Sequence, residues 1–100
     1  MGMDLQPIAP TEDAPKDKYG YEWGHYNWIG WTTLIRLLKE WGIDISEFSE
    51  SNDGEVISQK TCLLVADAIE RHLTLMDEDC RRWLEPHITL WRTCGGYEQR

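Results

Sequence analysis

Cys80, His87 and Cys94 stand seven residues apart along one segment and are of the types that bind zinc. In a helix seven residues climb ~10.5 Å, whereas zinc holds its ligands within about 2.3 Å, so neighbouring members cannot share one ion. A ligand set drawn from several helices, His72 included, is the one metal arrangement left open. No short Cys/His spacing supports it, and no metal or cofactor is expected. His72 and His87 fall within apolar arcs, where a histidine is either a tuned general base or a core side chain satisfied by a hydrogen bond. Neither has a Ser or Cys beside it in a nucleophile motif, so the structural role is favoured and no enzyme is expected. His25, between Gly24 and Tyr26, is the histidine expected to be open to a small ligand. Aligning Gly54 with the glycine of an EF-hand loop puts Ser49, Ser51 and Asp53 at the first ligand positions. Lys60 then falls where a bidentate Glu is needed, so "SESNDGEVISQK" reads as a turn and not a calcium loop.

Two further groupings could bind without catalysing. Among the 100 residues, 18 acids against 10 Lys and Arg give a net charge of -8, which would repel nucleic-acid phosphates and anionic lipid. Between Lys39 and Lys60 lie Glu40, Asp44, Glu47, Glu50, Asp53 and Glu55 with no basic residue. This run is either a solvated loop or a surface for a basic partner. The second grouping is "YGYEWGHYNWIGW", with Tyr19, Tyr21, Trp23, Tyr26, Trp28 and Trp31. Its aromatics either seal a small core or form a stacking platform for a base or sugar.

The elements that would position these groups follow from periodicity. Residues 1–18, with Pro7, Pro10 and Pro15 and no apolar period, are expected to be a flexible tail, leaving 19–100 as one domain. Tyr19, Tyr21 and Trp23 alternate with Gly20, Glu22 and Gly24, the period of an extended strap over 19–26. Asn27 can cap a helix of roughly 28–41 whose apolar side is Trp28, Trp31, Leu34, Ile35, Leu37, Leu38 and Trp41. Gly42 follows as a left-handed stop, with Ile43 folding back on Leu38. Ser58 can cap a second helix over about 59–76. Asp77 can cap a third that keeps its phase through Pro86, as one kinked helix or two short ones, and ends at Gly95 and Gly96. The fold expected is all-α: a compact domain of three to four helices with a short extended aromatic N-terminal segment.

With "FSESNDGEVIS", "RRWLEPHITLW" and "CGGYEQR" in view, residues 27–99 resemble a family of short uncharacterised proteins encoded by bacteria and their phages. The resemblance is carried by Asn52, Asp53 and Gly54 before one helix and by Gly95, Gly96 and Tyr97 after another. It implies no activity.

The apolar run Cys62–Ala66 is far too short to span a membrane, the first twenty residues lack a signal-like stretch, and Gln6 stands where an N-myristoylation motif needs Ser or Thr. Three widely spaced cysteines suit reduced thiols, so a cytoplasmic protein is expected. The function expected is a small acidic, non-catalytic protein-binding module: a regulator, immunity protein or phage-encoded inhibitor. It would present Asp44, Glu47, Glu50, Asp53 and Glu55 to a basic surface of a host protein. The alternative is a small-ligand or carbohydrate binder using segment 19–31 through Tyr21, Trp23, His25 and Tyr26.

Overall fold

The computed structural model describes residues 2–100 and corrects the all-α expectation: the domain is mixed, with helices packed on an antiparallel sheet. In chain order the elements are β1 (Gly2–Pro7), β2 (Lys16–Asp17), β3 (Gly20–Tyr21), β4 (Gly24–Asn27), α1 (Trp28–Glu40), β5 (Val56–Ile57) and α2 (Gln59–His72). A 3-10 turn (Leu73–Leu75), α3 (Glu78–Leu84), α4 (His87–Thr93) and β6 (Tyr97–Gln99) complete the chain. The sheet runs β4-β1-β6-β5, and β2 with β3 forms a separate two-stranded ribbon.

The flexible tail expected over 1–18 is the second correction. β1 lies inside the sheet, pairing Met3 with Tyr26 and Asp4 with His25 on one side, and Leu5 with Gln99 and Pro7 with Tyr97 on the other. Met3 and Leu5 are fully buried while Asp4 between them is exposed, the alternation of a strand with one wet face. Burying those two side chains contributes roughly 1.5–3 kcal/mol each, which a frayed tail would forgo. After β1 the chain stays docked: the N–H groups of Ile8, Ala9 and Thr11 donate to the carbonyls of Gly96, Cys94 and Thr93. Gly95 permits that approach, since its φ of 66° is left-handed and a Cβ there would stand 2.0 Å from the Ala9 oxygen.

The helices begin where the sequence places them, and α2, expected to reach about 76, stops at His72 before the 3-10 turn. Asn27 accepts from the Gly30 N–H at 2.6 Å, Ser58 from Thr61 at 3.3 Å and Asp77 from Cys80 at 2.8 Å. α1 stops at Gly42, φ 81°, with the Ile43 N–H donating to Leu38 O at 2.9 Å. Around Pro86 there are two short helices and not one kinked helix. α1 lies against β1 and β4, and α2 packs on α4. The core between helices and sheet joins Met3, Leu5, Tyr26, Trp31, Leu34, Leu38, Ile57, Val65, Ile69, Leu84, Trp91 and Tyr97. No helix among the described residues is long and apolar enough to cross a membrane.

Candidate functional site

The acidic segment runs from the end of α1 into β5, and one buried side chain fixes it. Gln99, on β6, is fully buried. Its Oε1 accepts from the Ser49 N–H at 2.8 Å, and its Nε2 donates to the carbonyls of Glu47 at 2.9 Å and Glu55 at 3.2 Å. The backbone adds Gln99 N–H to Glu55 O and Gly54 N–H to Gln99 O, both 2.8 Å. Trp31 contributes its indole N–H to Ser49 O at 2.7 Å, and Asn52 Nδ2 donates to Arg100 O at 3.2 Å. Thus the Asn-Asp-Gly turn and the strand after Gly95 and Gly96 meet each other directly. Both ends of the loop are tied to the core, and Asp44, Glu50, Asp53 and Glu55 are left exposed.

Glu47 departs from the expected set. Its carboxylate turns inward to the N-terminal turn of α2, accepting from the Ser58 hydroxyl at 2.9 Å and from the Thr61 hydroxyl. Those bonds, with the one from Thr61 strongest, hold its carboxyl below the usual glutamate range against the opposing effect of burial. The anion also complements the positive end of the helix dipole. Asp44 is held low by the Ser46 backbone N–H, an Asx turn at full exposure. Asp53 accepts from Ser51 Oγ at 2.7 Å within the turn.

The aromatic segment is divided by its own alternation. Tyr21, Trp23 and His25 line one open hollow with Asp17 and Tyr19, at the β2–β3 ribbon beside the edge strand β4. Lys16 lies over the Tyr21 ring at 4.9 Å and Lys18 over Tyr19 at 5.2 Å. His25 is exposed, with Nδ1 2.7 Å from Asp4 Oδ1 across the β1–β4 pair. Since a carboxylate only accepts, Nδ1 carries the proton. Tyr26 points the other way, into the core, 5% exposed among Trp31, Trp83, His87 and Trp91. It takes no part in the hollow of Tyr19, Tyr21, Trp23 and His25.

His87 and the two buried cysteines are occupied in packing. Trp91 Nε1–H donates to Tyr26 Oη at 2.9 Å, and His87 Nδ1 lies 2.6 Å from the same oxygen. The Tyr26 hydroxyl thus joins β4 to two side chains of α4. Burial, then the nearby His25, pushes the His87 pKa down. Burial pushes the Tyr26 phenol up, keeping it a donor. Cys62 and Cys94 are buried, and Cys80 is half-buried on α3. Among the described residues no three His, Cys, Asp or Glu side chains gather as a metal site. Arg82 pairs with Glu78 at 2.8 Å, while Arg92 bridges Asp67 and Glu70, both at 2.9 Å.

Gln99 and Asp4 carried no signal in the sequence as functional positions. Each acts through a partner distant along the chain. Compared with protein-family models, with curated proteins and with solved structures, the chain matches none.

Proposed function

We propose that this is a non-catalytic protein-binding module that docks its acidic loop on a basic surface of another protein. It would act there as a stoichiometric regulator, immunity protein or inhibitor. The observation that carries this reading is the buried Gln99 amide, whose three bonds hold residues 47–55 in one shape. A loop serving only solubility gains nothing from such fixing, whereas a docking loop loses less entropy on binding when it is already ordered. Asp44, Glu50, Asp53 and Glu55 are the contact residues, and Glu47 is a positioning residue beneath them. Unpaired thiols at Cys62, Cys80 and Cys94 fit a cytoplasmic setting.

The test replaces Asp44, Glu50, Asp53 and Glu55 with Asn or Gln and leaves Glu47 intact. Association with the partner captured from the native host is then timed at low and high salt. The reading expects slower association, loss of most of the salt dependence and an unchanged melting temperature. Equal rates for both proteins at both salt concentrations would overturn it.

The hollow of Tyr19, Tyr21, Trp23 and His25 favours a second reading, a stacking site for a sugar, with Asp17 able to accept from hydroxyls. Saturable quenching of Trp23 by a saccharide, insensitive to salt and lost in Trp23→Ala, is its expected signature. A saccharide panel that leaves Trp23 emission unchanged would remove it.

A further inference from the structure

A hollow of about 310 Å³ opens between the C-terminal half of α1 and the link from α2 to α3, and its lining shares no residue with either surface described above. Its lining is Leu37, Trp41, His72, Leu75, Met76, Asp77 and Cys80. Most of that lining is apolar, and Leu75, held in the 3-10 turn, is 80% exposed, uncovered by any of the described residues. Uncovered apolar side chains around a concavity, with a few polar groups among them, are what small-molecule sites share.

The polar groups narrow the ligand. His72 Nδ1 lies 2.7 Å from the Ala68 carbonyl, which can only accept, so in the neutral ring Nδ1 carries the proton and Nε2 offers a lone pair. The ring cannot turn freely, because it stacks on Trp41 with centroids 4.3 Å apart and planes 11° from parallel. Among the described residues no group bonds Nε2. Asp77 uses Oδ1 to cap α3 and has Oδ2 without a protein partner. No lysine or arginine lines the hollow to neutralise that carboxylate. Burial and Asp77 push the Cys80 thiol up, so it stays neutral and adds no second anion.

We propose that this hollow binds a small hydrophobic ammonium ion, a primary amine on an aryl or alkyl body. The ammonium would donate to Asp77 Oδ2 and His72 Nε2, while the body covers Leu37, Leu75 and Met76. An anion of the same shape would meet a carboxylate and a lone pair and be rejected. A neutral isostere would keep the apolar contact and lose the charge-assisted bond.

The experiment titrates the full chain with 2-phenylethylamine, 2-phenylethanol and 3-phenylpropionate, following the Trp41 indole and the Leu75 and Met76 amides by NMR. The amine should saturate these signals, the alcohol should bind about tenfold to hundredfold more weakly, and the carboxylate should not bind. Asp77→Asn keeps a good N-cap and so the fold, and should bring the amine down to the level of the alcohol. Leu75→Ser, at an exposed position, should weaken amine and alcohol alike. The proposal is overturned if the amine fails to saturate, if amine and carboxylate bind equally, or if Asp77→Asn leaves the amine affinity unchanged in a protein of unaltered melting temperature.

Discussion

Replacing Gln99 with Leu separates packing from hydrogen bonding at the root of the acidic loop. Leucine fills most of the same buried volume but offers nothing to the three backbone groups that Gln99 serves. The Glu55 carbonyl keeps its bond from the Gln99 backbone N–H, leaving the Ser49 N–H and the Glu47 carbonyl as the groups orphaned. At about 1 kcal/mol for each orphan and somewhat less for the weakened Glu55 contact, the loss is roughly 2–3 kcal/mol. For a domain of this size that lowers the melting temperature by roughly 8–24 °C. Urea unfolding at 25 °C measures the first quantity and a thermal scan by circular dichroism the second. Hydrogen exchange adds location: the Ser49 amide should lose protection before the amides of α2 do. Gln99→Glu should be more damaging at neutral pH, since an anionic oxygen would face two carbonyls, and should partly recover in acid, where the carboxyl can donate again. A Gln99→Leu protein within about 0.5 kcal/mol of wild type, about half the worth of one ordinary hydrogen bond, would refute the claim that this amide holds the loop.

Three other outcomes are expected. Deleting residues 2–7 should abolish cooperative unfolding, because β4 and β6 lose the strand between them, and Leu5→Ala alone should cost about 2–5 kcal/mol in urea titrations. Gly95→Ala should destabilise far more than Gly42→Ala: both positions are left-handed, but only the first drives a Cβ into the Ala9 backbone, whereas the second costs roughly 1 kcal/mol. His87 has its pKa depressed in the folded protein, so the unfolded chain takes up that proton first. Its contribution is fully present above the unfolded histidine value of about 6.5 and is lost as pH falls below it, so melting temperatures from pH 8 to 5 should decline less steeply in His87→Gln than in wild type.

The parts legible in the sequence are those whose signals are local. Asn27, Ser58 and Asp77 each satisfy an N–H three residues on, and Gly42 with Ile43 closes α1 three to five residues from its partners. Of the strands, only β3 and most of β4 fall in a stretch read as extended, 19–26, and nothing local told what they pair with. β2, β3 and β5 have two residues each, too few for a period, and the alternation of β1 rests on Met3 and Leu5 alone. Their pairing is decided by residues at the other end of the chain, so a segment with three prolines nearby reads as tail until β6 is placed beside it. The same distance hid the candidate site. Glu47 counted as one more surface acid because Ser58 and Thr61, which turn it inward, lie beyond the turn. Tyr26 counted with its aromatic neighbours because its partner His87 belongs to a helix far along the chain.

That the first strand and the last lie side by side in the middle of the sheet has a consequence for the order of folding. α1, α2 and α3 carry their own caps and can flicker into shape before the sheet is complete. β1, made first, can acquire β4 early but has no second neighbour until Tyr97–Gln99 is released. Closing a loop of nearly the whole chain costs entropy before any contact repays it, so this step is the slow one. Until β6 docks, Met3 and Leu5 have a strand neighbour on the β4 side only, and β1 is an unpaired, half-covered sheet edge, the kind of edge that invites association with another chain.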